Sequence, residues 1–301
     1  MHNLTNDDLF AELKFRFELN RSALSELQSV SRELENLNRK LHDSEAMKGH
    51  FLSNIRNEIN NPLTSISGLA RHLMTVRCAP EQVTEIAGMI YSEAFDLDFQ
   101  LRNIFVAAEL EAGEAKPEFC HVEIESLLKN TVELLAQHLA AKQINVIESV
   151  TSIDASPIFV SDAQMLQLVL INLLMNAIEY SPSGGTVRVE MQLSPAGVQI
   201  NVADHGPGID PADQGRIFDR FIQMESGTTK NHRGHGLGLS LTRALVELLG
   251  GQVTLVSARG AGAKFILDIP TPQLTEPVSL SASDGNFFLF TADDTDESQI
   301  F

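Results

Sequence analysis

Apolar side chains recur every three or four residues along most of the chain between residues 27 and 110, and this helical spacing constrains the fold more than any other feature. Residues 8–50 carry charges of both signs and have no proline or glycine before Gly49. The apolar positions there follow the seam of a coiled coil: Leu27, Val30, Leu34, Leu37 and Leu41. We therefore predict a coiled-coil helix over residues 1–48, paired with a second copy of the chain. The alternative is a single amphipathic helix packed on its own chain.

Two more helices follow, separated by the short turn "RCAP" at residues 77–80. The second runs from about Glu81 to Leu110, and Gly113 is a candidate for its C-cap. Apolar residues at helical spacing lie on both helices, namely Phe51, Ile55, Ile59, Leu63, Ile66 and Leu69, then Ile86, Ile90, Ala94, Leu97, Leu101, Ile104 and Ala108. Such a hairpin buries its apolar stripes best by dimerising into a four-helix bundle. We predict this hairpin over residues 49–115 in a homodimer.

From Glu118 onward, strand and helix patterns alternate, so the fold class changes. The predicted strands are "FCHVEI", "INVIESV", "GTVRVEMQLS", "GVQINVADHG", "GQVTLVSA" and "AKFILDIP", the third and fourth forming a hairpin. The predicted helices are "IESLLKNTVELLAQHLAAK", "DAQMLQLVLINLLMNAIEYS" and "LSLTRALVELLG". Helices grouped against a mostly antiparallel sheet make a two-layer α/β sandwich over residues 116–271. The whole chain is thus predicted to be a multidomain protein with α and α+β parts.

The last segment, residues 272–301, contains no lysine or arginine and is rich in serine, threonine, proline and aspartate. This composition predicts an acidic, disordered tail, in which "FFLF" is a candidate docking anchor.

The charge balance excludes several classes of function. With 22 basic and 40 acidic residues the formal net charge is −18, which argues against nucleic-acid binding and against docking on an anionic membrane. Two cysteines, Cys78 and Cys120, provide neither a disulfide framework nor a metal cluster. No apolar run is long enough to span a membrane, and the N-terminus does not resemble a signal peptide. We expect a cytoplasmic protein with no membrane segment.

Three segments of the second half contain residues suited to a nucleotide. In "NLLMNA", Asn172 and Asn176 lie four residues apart and share a helix face. Their amide oxygens are hard ligands of the kind that Mg²⁺ prefers. In "DHGPGI", Asp204 follows a predicted strand, and its carboxylate can accept a hydrogen bond from an exocyclic amino group such as that of adenine. Helical asparagines and a turn aspartate have simpler explanations when each is considered alone.

Glycines flank these groups. Gly206 and Gly208 would let the backbone approach a base, although an ordinary turn explains them equally well. In "RGHGLGLSL", the glycines Gly234, Gly236 and Gly238 precede a helix whose N-terminal N–H groups would face phosphates. The order and spacing of the three segments, with "IFDRF" at residues 217–221 between the second and third, is strong evidence where each segment alone is weak.

Together these segments resemble the ATP-binding domain shared by histidine kinases, Hsp90-type chaperones, DNA gyrase and MutL-type proteins, over about residues 118–270. The resemblance implies ATP with Mg²⁺. By this resemblance, Asn176 is the metal ligand and Asn172 lies beside the phosphates. Asp204 binds adenine, and Gly206 and Gly208 shape the base pocket. The remaining implied residues belong to a mobile lid: Gly234, Gly236 and Gly238 at its bounds, Phe218 and Phe221 as its anchors, and Arg233 or Lys230 in place of the lysine that many relatives carry at Glu179.

The helical hairpin that precedes this domain resembles the dimerisation and phosphoacceptor domain of sensor histidine kinases, so the likeness extends over roughly residues 20–270. It implies that the coiled coil transmits a signal and that a response regulator docks on the bundle. In that family the acceptor helix has the approximate pattern Ser-His-Glu, an apolar residue, Arg-Thr-Pro. Here Asn57 stands at the histidine position, followed by Glu58 as the implied general base and by Pro62.

An asparagine amide cannot replace the histidine as a nucleophile, because its nitrogen lone pair is delocalised into the carbonyl. We therefore predict that residue 57 is not autophosphorylated. The sequence leaves open whether the chain is an enzyme. One alternative is a nucleotide-gated regulatory pseudokinase. Another is a response-regulator phosphatase in which Asn61, one turn after Asn57, orients the attacking water. A third is phosphorylation of His50 or His72.

Three further alternatives remain. The asparagine could be an engineered His-to-Asn change that traps one state, although differences at Arg56, Asn60 and Asn61 favour natural divergence. The chain could be a serine kinase of the anti-sigma-factor type, which shares the ATP domain but needs no long hairpin. It could also be a pure interaction module with a vestigial site, for which gaps in the nucleotide segments would be expected.

Overall fold

The protein was analysed as a computed structural model, which describes residues 59–153, 158–220, 236–273 and 279–283 and a few positions before 59. Those earlier positions are 14, 26–27, 30–35, 38–39 and 56, and all of them are helical. The chain divides into two compact units, Met1–Asn54 and Ile55–Phe301. In the first unit the described seam residues Leu27, Val30 and Leu34 have exposed side chains. The rest of the predicted coiled coil, including Leu37 and Leu41, lies outside the described residues.

The second unit begins with two helices, α1 at residues 59–75 and α2 at Pro80–Ala112. At the start of α2 a proline occupies the first turn, and the Gln82 side chain accepts a hydrogen bond from the Ala79 N–H at 3.0 Å. At its end Gly113 adopts a left-handed conformation with φ 70°, and its N–H bonds back to Leu110 O, so the predicted C-cap is confirmed. The earlier stripe residues of the first hairpin helix, Phe51 and Ile55, lie outside the described residues.

Helix α2 carries two apolar stripes where the sequence analysis identified one. The predicted bundle stripe, which runs from Ile86 to Ala108, is half-buried or exposed in the described chain. A second stripe begins at Phe95. Because Phe95 directly follows Ala94 of the first stripe, it lies about 100° further around the helix. Phe95 is 1% exposed and Phe99 8%, and both belong to the core of the α/β part. The four-helix bundle itself stays a prediction.

The α/β part is built from the elements that the sequence predicts, with three differences given below. Its helices are α3 (Ile124–Leu134), α4 (Ala136–Lys142), α5 (Ala163–Tyr180) and α6 (Gly238–Leu248). Its strands are β1 (Cys120–Glu123), β2 (Asn145–Ser152), β3 (Ile158–Ser161), β4 (Thr186–Ser194), β5 (Gly197–Ala203), β6 (Gln252–Ser257), β7 (Ala263–Pro270) and β8 (Ser279–Ser283).

The larger sheet has the strand order β2-β4-β5-β7-β6, in which β2 pairs with β4 in parallel and the other pairs are antiparallel. Alternate residues of β4, namely Val187, Val189, Met191 and Leu193, point into the core. Helix α5 fits a central position because 12 of its 18 residues are buried. The α+β architecture predicted for this part of the chain is therefore present.

Three predictions about secondary structure need correction. The single helix predicted over residues 124–142 is two helices, because Leu135 leaves helical geometry with ψ 6° and a tightened bond from its N–H to Val132 O. The strand β3 was not predicted. Residues 279–283 of the tail, which is predicted to be disordered, form β8 and pair in parallel with β1. An unpaired strand edge offers backbone donors and acceptors to an extended segment. The candidate anchor "FFLF" lies outside the described residues and stays a prediction.

Among the described residues, no helix combines the length and the apolar character that crossing a membrane requires.

Candidate functional site

Asn172 lies on α5 with only 3% of its surface exposed. Its Nδ2 donates one hydrogen bond to Leu168 O at 3.0 Å and another to Asn103 Oδ1, on helix α2, at 2.9 Å. The carbonyl of Leu168 can only accept, so the amide atom facing it is the nitrogen. Because both hydrogens of Nδ2 are used inside the protein, Asn172 can offer a ligand only its oxygen.

The oxygen of Asn172 faces the N-terminus of α6, where Gly238 begins the helix. A Cβ built on Gly238 would lie 2.8 Å from Asn172 Oδ1, so a side chain there would displace the amide. Just before it, Gly236 adopts a left-handed conformation with φ 67°. The structure therefore brings the first and third predicted segments together. Asn176, one turn further along α5, is half-buried.

Asp204 follows the end of β5, as predicted. Its Oδ1 accepts hydrogen bonds from Gly206 N–H at 2.8 Å and from Ala263 N–H at 3.2 Å. Burial raises the pKa of the Asp204 carboxyl above its ordinary value, and the two N–H donors offset part of that shift. Among the described residues its contacts all fall on Oδ1, which leaves Oδ2 to accept from a ligand.

The glycines around Asp204 are required by close backbone contacts. A Cβ on Gly206 would lie 2.7 Å from Tyr180 O, at the C-terminus of α5. Gly208 has φ 70°, and its Cβ would lie 1.9 Å from Ala258 O. Gly262, which sequence analysis did not select, would place a Cβ 2.1 Å from Asp204 O. These contacts fix the loop that carries Asp204 against α5.

Helix α5 thus connects both halves of the site. Asn172 and Tyr180 are separated by about 12 Å along the helix axis, from the rise per residue. Lys142 Nζ donates to the carbonyls of Ile178, at 2.8 Å, and Glu179, so a lysine does approach this end of α5. Sequence analysis missed it because α4 is far from Glu179 along the chain.

The lid residues are only partly described. Phe218 packs edge-on against Phe265, with ring centroids 6.4 Å apart, and the Arg243 guanidinium lies 5.7 Å from its centroid. Phe218 therefore packs with the core of the domain, the simpler role for such a residue. Outside the described residues lie Phe221, Lys230, Arg233 and Gly234, and also Asn57 and Glu58.

Asn61 lies on α1 and is exposed, and Pro62 beside it is buried. The Asn61 side chain is not among those that the contacts described above bring together. Asn172, Gly238, Asp204, Gly206 and Gly208, in contrast, all gather around α5.

Comparison with known proteins gives a consistent result. Residues 161–273 match the family described as histidine kinase-, DNA gyrase B-, and HSP90-like ATPase. The chain is 32% identical to hybrid signal transduction histidine kinase D of Dictyostelium discoideum, over 83% of this chain and 16% of that protein. It is 30% identical to the circadian input-output histidine kinase CikA of Synechococcus elongatus, over 77% of this chain and 31% of that protein.

A third relative is the sensor-like histidine kinase SenX3 of Mycolicibacterium smegmatis, 28% identical over 75% of this chain and 58% of that protein. Among solved structures, full-length ShkA in complex with AMPPNP is similar with a TM-score of 0.52 and 26% identity, over 77% of this chain and 46% of that chain. The chain thus spans less than two thirds of the length of each of these relatives. It is a homologue of the sensor histidine kinases, and residues 161–273 belong to the ATPase family that these kinases share with DNA gyrase B and HSP90.

The close contact at Gly208 predicts that an alanine there destabilises the fold more than an alanine at position 184. Gly184 has a similar φ of 77° but open space where its Cβ would be. We expect Gly184→Ala to lower the free energy of unfolding by about 1–2 kcal/mol, from left-handed strain alone. Gly208→Ala should cost about 1–3 kcal/mol more, because its Cβ meets the Ala258 carbonyl. Urea unfolding of both variants measures the difference. Equal losses would show that the Gly208 backbone is not held against Ala258.

The desolvated carboxyl of Asp204 predicts a stability that depends on pH. Since the folded state holds its proton more tightly than the unfolded state, stability falls as pH rises from below the ordinary carboxyl pKa through the raised one. Asp204→Asn keeps an oxygen for Gly206 and Ala263 but carries no charge. Its melting temperature should exceed that of the wild type at neutral pH.

The advantage of Asp204→Asn should shrink as the solution is acidified and the wild-type carboxyl becomes protonated. Melting curves over a pH series measure it, with Asp219→Asn as a control because Asp219 is exposed. A melting temperature below that of the wild type at neutral pH, or a difference that does not change with pH, would contradict the assignment.

Proposed function

We propose that this chain is a histidine-kinase homologue of two-component signal transduction that binds ATP with Mg²⁺ and interacts with a response regulator. The observation that carries the proposal is the gathering of Asn172, Gly238 and the Asp204 loop around one buried helix, α5. AMPPNP in the complex of the similar protein ShkA is a triphosphate analogue and supports the same ligand.

The residues present fit a nucleotide at both ends of the site. At one end, the fixed oxygen of Asn172 and the nearby amide of Asn176 offer hard oxygen atoms toward a metal ion. At the other end, Asp204 is half-buried and its Oδ2 is left to accept, so an exocyclic amino group of adenine would donate to it. When bound, Mg²⁺ supplies neutralisation of phosphate charge.

Within this proposal, the chain's own residues bind and orient. Asp204 selects a base with an amino group, Gly206 and Gly208 shape the pocket, and Gly236 and Gly238 bring the N-terminus of α6 toward the phosphates. The roles of Gly234, Phe221 and Arg233 in the lid are part of the same proposal. Phe218 holds the lid's near end through its contact with Phe265.

We further propose that residue 57 accepts no phosphate. Glu58 would be suited to withdraw a proton from an imidazole, but the amide of Asn57 has no free lone pair on nitrogen. Nucleotide binding would then control helix positions and a partner, as in a regulatory pseudokinase. The sequence differences at Arg56, Asn60 and Asn61 favour natural divergence over an engineered change.

A response-regulator phosphatase is the second candidate, because Asn61 is helical and exposed one turn after residue 57. An exposed amide at that position can orient a water molecule toward a phosphorylated partner. This activity would need no phosphoacceptor on the chain itself.

The remaining parts of the proposal concern assembly and place in the cell. Apolar side chains on α1 and α2 are exposed, among them Met74 at 86% and Phe105 at 61%. These surfaces, with those of Leu27, Val30 and Leu34, support a homodimer formed through a coiled coil over residues 1–48 and a four-helix bundle over residues 49–115, in a cytoplasmic protein. The ATP-binding domain then occupies residues 116–271 and the tail 272–301.

The proposal predicts the outcome of labelling with γ-labelled ATP and Mg²⁺. Wild type should bind nucleotide but take no label, whereas Asn57→His should acquire acid-labile label, because only the acceptor is missing. Asn61→His is the matched control, since it introduces the same imidazole one turn away, and it should stay unlabelled.

Two outcomes would contradict the proposal. Acid-labile label on the wild type would show that another histidine, such as His50 or His72, is the acceptor. Failure of the wild type to bind nucleotide at all would leave the pure interaction module as the better account.

A further inference from the structure

Helix α2 contacts the α/β part through three polar pairs spaced about two helical turns apart. Asp96 Oδ1 pairs with His138 Nε2 on α4 at 2.8 Å, and Asn103 Oδ1 accepts from Asn172 on α5 at 2.9 Å. Glu111 pairs with Arg220 at 3.1 Å. The buried rings of Phe95 and Phe99 lie in the same face, with Phe95 5.7 Å from the His138 ring.

Of these three pairs, the amide pair differs from the other two in burial and in what it touches. Asn103 is 7% exposed and Asn172 3%, whereas the side chains of the other two pairs are between 16% and 55% exposed. Exposed ion pairs contribute little to stability, while a hydrogen bond in the interior is stronger and costly to lose. The amide pair also ends on a residue of the candidate nucleotide site.

The geometry limits how the Asn172 amide can turn. Rotating it by half a turn would place its oxygen against two acceptors, Leu168 O and Asn103 Oδ1. With α2 docked, therefore, Oδ1 stays directed at the N-terminus of α6 beside Gly238. Without Asn103, one hydrogen of Nδ2 loses its partner and a single acceptor remains to hold the orientation.

We propose that Asn103 is a positioning residue for the nucleotide: it holds the Asn172 amide with its oxygen toward the metal ion, and thereby couples ATP binding to the docking of α2. This inference rests on the proposed nucleotide site and adds a regulatory link that runs from that site to the hairpin. Because coupling between two equilibria is reciprocal, bound nucleotide must also tighten the docking of α2.

A different role for Asn103 would change the nucleotide affinity in the opposite direction. If the nucleotide needed the Nδ2 of Asn172 as a donor to phosphate, Asn103 would compete with it. Removing Asn103 would then strengthen nucleotide binding, so the direction of the change decides between the two.

The test is titration calorimetry of the full chain with AMPPNP and Mg²⁺, together with a double-mutant cycle. Asn103→Ala should weaken binding about fivefold, equivalent to ~1 kcal/mol for one hydrogen bond. Asn103→Asp keeps an acceptor oxygen in place and should bind more tightly than Asn103→Ala. In an Asn172→Ala background, Asn103→Ala should have no further effect, because the residue through which it acts is gone.

A matched control and a readout without phosphoryl transfer complete the design. Asp96→Ala removes a docking contact on the same helix face without touching Asn172. Because the Asn103 bond and the buried rings of Phe95 and Phe99 still dock α2, it should change the affinity by less than about twofold. Melting temperatures of all variants without nucleotide confirm that each is folded. In the wild type, AMPPNP with Mg²⁺ should slow amide hydrogen exchange across residues 95–110 of α2, and in Asn103→Ala this slowing should be lost.

The outcomes distinguish a failure of the Asn103 positioning role from a failure of the proposed nucleotide site. A wild type that binds AMPPNP with Mg²⁺, beside an Asn103→Ala that binds equally or more tightly, overturns the positioning role and leaves the nucleotide site intact. An effect of Asn103→Ala that persists in the Asn172→Ala background also overturns it. A wild type that binds no nucleotide overturns the proposed site and this inference together.

Discussion

The burial of α5 is the constraint on which the rest of the second unit depends. At its start, the Asp162 carboxylate caps the helix by accepting from Met165 N–H at 2.9 Å, and its other oxygen accepts from Glu118 N–H at 2.8 Å. The same residue therefore fixes both the helix and the segment that enters the domain after α2. In the middle, the Asn172 amide reaches α2, and at the end the Tyr180 carbonyl touches Gly206. One helix thus connects the hairpin, the candidate phosphate end and the candidate base end of the site.

Neutral amide groups make most of the contacts that hold the site together, and this determines what it costs to separate them. Burying an unpaired charge costs far more than burying an unpaired amide, so opening the contact of Asn103 with Asn172 costs less than opening a buried ion pair would. The other two polar pairs of α2, at Asp96 and Glu111, are more exposed than the amide pair. Asp204 is the exception, since its half-buried carboxyl is held by two N–H donors among the described residues and gains from a ligand that donates a third hydrogen bond.

Sequence reasoning succeeded where a single local pattern decides the structure. The apolar run predicts α5, and the spacing of Asn172, Asp204 and Gly238 indicates the site that the fold assembles around that helix. It failed where the decisive partner is distant along the chain. The second stripe of α2, with Phe95 and Asn103, was missed because the bundle stripe already accounts for an amphipathic helix, and only the folded domain shows what the adjacent face packs against.

The other failures have the same origin. Strand β8 depends on the open edge of β1, about 160 residues earlier by sequence number, and the composition of the tail carries no sign of that pairing. Gly262 was missed because its requirement comes from the Asp204 backbone and not from its neighbours. Lys142 was missed because helix patterns identify a lysine but not the carbonyls that it will reach.

A crystal structure of the chain with AMPPNP and Mg²⁺ tests the proposed nucleotide site most directly. We expect the base amino group on Asp204 Oδ2 and the metal and phosphates on the side of α5 that carries Asn176, with Asn172 Nδ2 still bonded to Asn103. A nucleotide bound elsewhere, an empty site at saturating ligand, or an Asn172 amide turned with its nitrogen toward the phosphates would contradict it.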